Sequence, residues 1–269
     1  VVETLPLSVV RADLKGQESR VIQLVLQPYT GAHVVREEAG AADGPQTEWY
    51  IDNSAVGSAN TGTLTSNTVT GLDMAGSIGY GTVETLNVNL GSNVDTFTIA
   101  STHGGATIVN GNNGADIVHV QGTSGATTLN GGNDGDTFNV GSNGSIDGVN
   151  ALLTVNGGAG SDTMSVNDSS PANTGKSGTL TAATLRGLAL EAGINYATLE
   201  TVQISLAAGA NTFDIISTHG GQTTLNSAGG GDTVNVIGTG GTLTVNTEGG
   251  ADIVNVRAIS GGVTTVNGG

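Results

Sequence analysis

Cysteine is absent from this 269-residue chain, which excludes disulfides and thiolate metal sites and leaves the redox compartment open. Aromatic residues make up only 3%, so large rings cannot fill a conventional globular core. Charged residues are also scarce, at 11%, too few for a highly charged disordered tail. Positive charge is the scarcest of all: 7 Lys and Arg stand against 23 Asp and Glu, a net charge of -16. That balance argues against nucleic acid as a partner, because phosphate binding needs clustered basic side chains. Four of the seven, Arg11, Lys15, Arg20 and Arg36, lie in the first 40 positions. No apolar run approaches the roughly 18 residues that would span a bilayer, so no membrane span is expected in this segment. There is no initiator Met and no basic-then-apolar leader, and with the repeats described next this reads as an excerpt of a longer chain.

What is abundant is glycine, 45 residues of it, set in a pattern that repeats. Glycine turns close on Asp95, Asp116, Asp136, Asp162, Asp232 and Asp252, at spacings of 21, 20, 26, 70 and 20 residues. Asn211 falls in the long gap, 21 before Asp232, and takes the place of one Asp. Six residues before these seven positions stand Asn89, Asn110, Asn130, Asn156, Ser205, Asn226 and Asn246. A longer period lies above the short one. Ser101-Thr102-His103-Gly104-Gly105 returns at Ser217-Thr218-His219-Gly220-Gly221, an offset of 116, and Asp116 and Asp136 return at Asp232 and Asp252. The chain divides accordingly into residues 1–50, read as divergent β coils or a cap, a first super-repeat over 51–166, and a truncated second one over 167–269. Val2-Glu3-Thr4-Leu5 echoes Val83-Glu84-Thr85-Leu86, Arg20–Leu26 reads as a strand, and Pro28-Tyr29-Thr30-Gly31 reads as a turn.

Two and four residues past each anchor the side chain is apolar, as in Phe97 and Ile99, Val118 and Val120, or Phe213 and Ile215, and the residue between is polar. This period of two is a strand with one buried face. A second strand precedes each Asn, with Val88, Val109, Leu129, Val155, Ile204, Leu225 and Val245 facing inward. One such unit cannot bury its inner face, whereas stacked units share a thin continuous core. The fold expected is all-β, a right-handed parallel β-solenoid of coils of about 20 residues, the hand resting on the crossover preference. All seven anchors should then form one column on one edge. Phe97, Phe138 and Phe213 should stack in a partial ladder, and the six extra residues between Asp136 and Asp162 should loop out near Ser142–Asn150 on the opposite edge.

Carboxylates stacked one coil apart repel, and a hard cation between turns would remove the repulsion, with Asp and turn carbonyls supplying the oxygen donors that Ca²⁺ prefers. Gly157-Gly158-Ala159-Gly160-Ser161-Asp162-Thr163-Met164-Ser165 resembles the nonapeptide G-G-x-G-x-D-x-U-x of hemolysin-type (RTX) calcium-binding repeats. The resemblance implies a parallel β-roll with Ca²⁺ held between stacked turns, and the metal ligands it implies here are Asp95, Asp116, Asp136, Asp162, Asp232 and Asp252. It spans about 87–166 and 203–269. Only this copy is complete: Gly111–Asp116 lacks the second Gly, Ser227–Asp232 and Thr247–Asp252 lack the opening pair, and Ser92–Asp95 has no Gly in the turn. The plainer reading of these aspartates is that they cap strands and accept backbone N–H bonds, beside a ladder of Asn side chains.

No cluster reads as catalytic, and the chain is not expected to be an enzyme. His103 and His219 lack a carboxylate at zinc spacing and read as polar corner residues. Glu84, Glu200, Tyr80 and Tyr196 recur at 116 and read as structural. Thr98, Thr128, Thr154, Thr224, Thr244 and Thr265 face outward, an array that suits an ice or crystal surface but equally any strand face. Lys176 has no counterpart at the long period, which argues against a Lys–Asn isopeptide staple in every repeat. The function expected is a stalk, shaft or filament unit of a large secreted or cell-surface protein, adhesive or purely structural and stabilised by Ca²⁺. Its partners would be copies of itself or adjoining repeats, end to end, and cell-surface glycans. The alternative is a calcium-dependent β-helix module of a polysaccharide-active enzyme.

Overall fold

The computed structural model describes residues 8–11, 22–26, 33–39, 47–170 and 174–269. The Val2–Leu5 echo and the Pro28–Gly31 turn lie outside them. The described residues form strands and turns without any helix. The alternation explains why: in Thr96–Ile99, Ile117–Val120 and Thr137–Val140 every second side chain is buried and the intervening one half-buried. The β-branched and aromatic residues that fill these runs favour the pleated surface.

The strands lie in two sheets dominated by parallel pairing, a solenoid-like arrangement. One has 14 strands, in the order Ser8–Arg11, Ile22–Leu26, His33–Ala39, Thr47–Asp52, Thr85–Asn89, Ala106–Asn112, Thr127–Asn133, Leu153–Ala159, Leu190–Ala197, Thr184–Gly187, Ser177–Leu180, Thr212–Ile215, Thr233–Val236, Ile253–Val256. The other has 11, from Thr264–Gly268 through Thr242–Glu248, Gln222–Asn226, Thr201–Ser205, Thr163–Asn167, Thr137–Val140, Ile117–Val120, Thr96–Ile99, Thr61–Leu64 and Thr68–Gly71 to Ser77–Gly79. Register follows the repeat columns: Val88, Val109, Leu129 and Val155 are successive partners in the first sheet, and Phe97, Val118, Phe138 and Met164 in the second. All eight are buried, and their rows line one narrow core between the sheets.

Among the described strands, antiparallel pairing is found in three places, besides a single Ser142–Ser145 bridge in a loop. The strands Ser8–Arg11, Ile22–Leu26 and His33–Ala39 run antiparallel in succession onto Thr47–Asp52. Each super-repeat also contains a three-strand meander, Thr61–Leu64 with Thr68–Gly71 and Ser77–Gly79, and Ser177–Leu180 with Thr184–Gly187 and Leu190–Ala197. The meanders are pinned alike, by Tyr80 Oη donating to the Thr65 carbonyl and Tyr196 Oη donating to the Thr181 carbonyl.

The second meander corrects the expected single column. Thr163–Asn167, which follows an aspartate turn, pairs with Thr201–Ser205, which precedes the Asn211 turn: Met164 faces Val202 and Val166 faces Ile204. On the other side Leu153–Ala159 pairs with Leu190–Ala197, whose meander then leads to Thr212–Ile215. Every column therefore changes sheet between the super-repeats. Phe97 and Phe138 lie in the 11-stranded sheet with Val118 between them, while Phe213 lies in the 14-stranded sheet between Gly178 and Val234, so no three-ring ladder forms. The extra residues after Asp136 do form a loop, anchored by Ile146 and Val149, both buried.

Candidate functional site: the stacked aspartate turns

Each aspartate closes the turn before a strand, and the turn geometry is more regular than the motif. The residues four and two before the aspartate have positive φ in five turns: Asn112 and Gly114, Gly132 and Asp134, Gly158 and Gly160, Ala228 and Gly230, Glu248 and Gly250. Non-glycine residues therefore hold the left-handed conformation where the nonapeptide pattern fails, so a degraded motif still makes the same turn. The turns at Asp95 and Asn211 are the exceptions, with no positive φ at either position. Glycine is obligatory at Gly160, where φ is +145° and a Cβ would stand 2.0 Å from the Asp134 carbonyl oxygen.

The aspartates stack, but in two columns on opposite edges. In the first, the Asn60 N–H donates to Asp95 Oδ1 (2.7 Å), Asp95 to Asp116 (2.7 Å), Asp116 to Asp136 (2.8 Å) and Asp136 to Asp162 (2.8 Å). It ends where the Asp162 N–H donates to Glu200 Oε2, at 2.7 Å. In the second, Lys176 N–H donates to Asn211 Oδ1 (2.9 Å), Asn211 to Asp232 (2.8 Å) and Asp232 to Asp252 (2.9 Å). The first column's turns lead from the 14-stranded sheet to the 11-stranded one; the second's lead back. This corrects the single edge expected from sequence, and its cause is the sheet exchange at the second meander. The four pairs Asp95/Asp116, Asp116/Asp136, Asp136/Asp162 and Asp232/Asp252 are stacked neighbours.

Asn side chains run parallel to each column. Nδ2 of Asn110, Asn130 and Asn156 donates to Oδ1 of Asn89, Asn110 and Asn130 at 2.8, 2.8 and 2.9 Å. A second series in the 11-stranded sheet runs from Asn226 to Asn246 and Asn267, each Nδ2 donating to the Oδ1 before it at 2.7 and 2.8 Å. The expected Asn ladder is thus present, in two pieces.

The second carboxylate oxygen sets the chemistry. Asp95, Asp116, Asp136, Asp162 and Asp232 are all at most 1% exposed. Oδ2 of Asp95 accepts the Gly91 N–H at 2.8 Å, but Oδ2 of Asp116, Asp136, Asp162 and Asp232 meets no donor among the described residues. A Cβ on Gly131 would stand 2.2 Å from Asp136 Oδ2 and 2.4 Å from the Gly157 carbonyl oxygen, so these two oxygens converge on one glycine. Asn211 shows what such a place accepts: its Nδ2 donates to the carbonyls of Ala207 (2.8 Å), Gly209 (2.7 Å) and Ser227 (3.3 Å). Burial pushes the Asp116 carboxyl up to about 7 and that of Asp136 up to about 6, with the neighbouring carboxylates adding to the rise. Asp95 and Asp162 are raised by the same cause. Such a setting calls for a bound proton or a hard cation. The donor set has the all-oxygen character Ca²⁺ requires, with one carboxylate per coil and the rest carbonyls. Among the described residues no three His, Asp or Glu side chains gather around one point, so Asp95, Asp116, Asp136, Asp162, Asp232 and Asp252 form rows and not a cage.

The other candidates sit at corners. The rings of His103 and His219 meet Tyr80 and Tyr196 edge-on, with centroids 5.7 and 6.2 Å apart. Nδ1 of each lies beside a Thr hydroxyl, Thr107 at 3.5 Å and Thr223 at 3.3 Å. Lys176 binds Asp147 at 2.7 Å and the buried Asp168 at 3.0 Å, tying the loop after Asp136 to the start of the second column. Asn60, Lys176 and Glu200 belong to the columns without any motif to announce them. The 116-residue offset carries a partial signal, since Asn60 and Lys176 are equivalents. No family model, curated protein or solved structure matches the chain.

Proposed function

We propose that this chain is a shaft segment of a large secreted or cell-surface repeat protein, structural or adhesive in role and not an enzyme. One observation carries the reading: a single turn-and-strand unit stacks from Thr85 to Gly268, and its polar side chains serve the stacking itself. In this reading the coils hold about 20 residues each and wind right-handed, the hand that parallel crossovers favour. Sheets of 11 and 14 strands at ~4.8 Å spacing would make a body roughly 50–60 Å long on sheets ~10 Å apart. Small-angle scattering tests this directly, with an elongated profile expected; a spherical one would refute it. Images of the intact parent protein should show a rod or filament.

Calcium enters as a ligand of the columns. What supports it is the set of buried Oδ2 atoms that lack a donor, beside turn carbonyls. The ion would be held by Asp116, Asp136, Asp162 and Asp232 with those carbonyls, and would supply positive charge to ionised carboxylates. Calcium is then expected to raise the melting temperature at pH 8, where Asp116 and Asp136 ionise, far more than at pH 5, where those two hold protons. EDTA should reverse the gain. Equal indifference at both pH values would leave the aspartates with a purely hydrogen-bonding role.

A further inference from the structure

Lys176 meets two carboxylates whose surroundings differ. Its Nζ donates to Asp147 Oδ1 at 2.7 Å and to Asp168 Oδ1 at 3.0 Å, and Asp168 Oδ2 is also 3.0 Å away. A nitrogen equidistant from both oxygens faces the carbon between them. The Asp168 side chain is fully buried and that of Lys176 15% exposed, whereas Asp147 is 54% exposed. Burial pushes the Asp168 carboxyl up, while the hydrogen bond from Lys176 holds that of Asp147 down. Burial also pulls the Lys176 amine down, but its two carboxylates more than offset this, so it rests as an ammonium. The two acids are thus set apart, one disposed to take a proton in a dry site, the other to stay an ionised base at the surface.

The equivalent place in the first super-repeat shows what the fold itself requires. Asp168 N–H donates to the Ser205 carbonyl as Asn53 N–H donates to that of Asn89. Lys176 N–H donates to Asn211 Oδ1 as Asn60 N–H donates to Asp95 Oδ1. Asn53 and Asn60 therefore stand where Asp168 and Lys176 stand, and both are buried. The same backbone is built there with two neutral side chains. An ion pair in their place costs desolvation that the packing does not demand. Lys176 is also the only lysine among the described residues, and it falls where the columns change sheet.

We infer that Lys176 and Asp168 condense to an amide, a covalent staple that the folded chain forms on itself with Asp147 as the proton carrier. The Nζ ammonium first passes a proton to Asp168, leaving a neutral amine beside a neutral acid. The nitrogen lone pair then attacks Cγ, forming the C–N bond and moving the carbonyl electron pair onto oxygen. Asp147 takes the proton that the attacking nitrogen must lose and delivers it to the acid hydroxyl, which leaves as water when the C–O bond breaks. One ammonium and one carboxylate become one amide and one water. Nothing is oxidised or reduced, and Asp147 ends as it began. Water opposes such a condensation between free groups, but these are held in contact, where effective molarities reach about 10⁵–10⁸ M. Burial of Asp168 then shields the product from hydrolysis. The amide joins the end of Thr163–Asn167 in the 11-stranded sheet to the start of Ser177–Leu180 in the 14-stranded one. It depends on neither the shaft reading nor a bound cation.

The test weighs the intact 269-residue chain after folding, and its mass is expected to be one water below that of its sequence. Trypsin cuts after a free lysine, so digestion of the denatured chain should not release Ser177–Arg186 as a separate peptide. Fragmentation in the mass spectrometer should yield no backbone products from cleavage between Asp168 and Lys176. Lys176→Arg keeps the charge but cannot form the amide, and should show its full mass with an unchanged circular dichroism spectrum. Asp147→Asn keeps an acceptor for Nζ but cannot carry the proton, and freshly made protein should lose its water about 100-fold more slowly. A folded chain that holds its full mass would overturn the proposal. So would a missing water that maps to an Asp–Gly step such as Asp147–Gly148, or an Asp147→Asn chain that condenses as fast as the parent.

Discussion

A buried carboxyl group such as Asp116 must either keep its proton or find a cation, and that choice reaches the stability of the whole chain. Because burial raises Asp116 to about 7 and Asp136 to about 6, the folded chain holds protons that the unfolded chain has released above about pH 4. Ionising these groups as pH rises toward 7 therefore costs stability, and the slope levels off once both have ionised. Without calcium, the melting temperature should fall between about pH 4 and 8 and flatten above. Each kcal/mol lost should appear as about 2–4 °C. Asp116→Asn should flatten the upper part of this slope, since an amide keeps the Oδ1 acceptor for the Asp95 N–H and adds a donor, as Asn211 does in accepting the Lys176 N–H and donating to the Gly209 carbonyl. An unchanged pH profile in that variant would mean that Asp116 titrates as an ordinary surface group.

Among the elements, the strands are held by packing on the inner face and by glycines that make room for it. Gly178 lies opposite Phe213, and a Cβ there would stand 2.7 Å from the ring and 2.9 Å from the Leu188 side chain. Gly62 stands in the same relation to Phe97 and Leu72. These glycines are where the meander crosses a large side chain, which is why they interrupt strands that favour Thr and Val. Gly178→Val should therefore destabilise by about 1–3 kcal/mol through overpacking, read as a lower denaturant midpoint. Phe138→Ala should cost about 3–5 kcal/mol, because the ring is 1% exposed and its stacked neighbours Val118 and Met164 cannot collapse into the space. The same substitution at Phe213 should cost as much, in the opposite sheet.

Across the whole molecule, stability is set by contacts between successive turns, so loss of one turn exposes the next. The internal junction at Thr163–Asn167 and Leu190–Ala197 shows that a column can cross from one sheet to the other without breaking the core. It also places the two aspartate columns on opposite edges, so any cation they take would be distributed along both edges of the stacked sheets. Severing the Lys176 pairings by Lys176→Met should loosen the loop after Asp136, leaving the Asp168 carboxylate without its cation. Increased hydrogen exchange over 142–150 is the readout, with little change over 106–140.

The amino-acid sequence alone determined the strand, its inward and outward faces, the stacking partners within a super-repeat and the turn that ends in Asp or Asn. These follow from spacing, because a period of two chooses the buried face and the short repeat chooses the neighbour. The N–H partner of each Asp and the Asn ladder are consequences of that same stacking. What the tertiary structure decided is how one super-repeat meets the next. Equivalent strands from the two edges offer the same alternation of apolar and polar residues, so Met164 packs as well against Val202 as against Phe213. The choice between them falls to the meander, whose antiparallel turns fill one sheet while the other passes straight across. It also decided that Oδ2 of four aspartates is enclosed with no donor, since enclosure depends on the coils on both sides and no single turn carries that information.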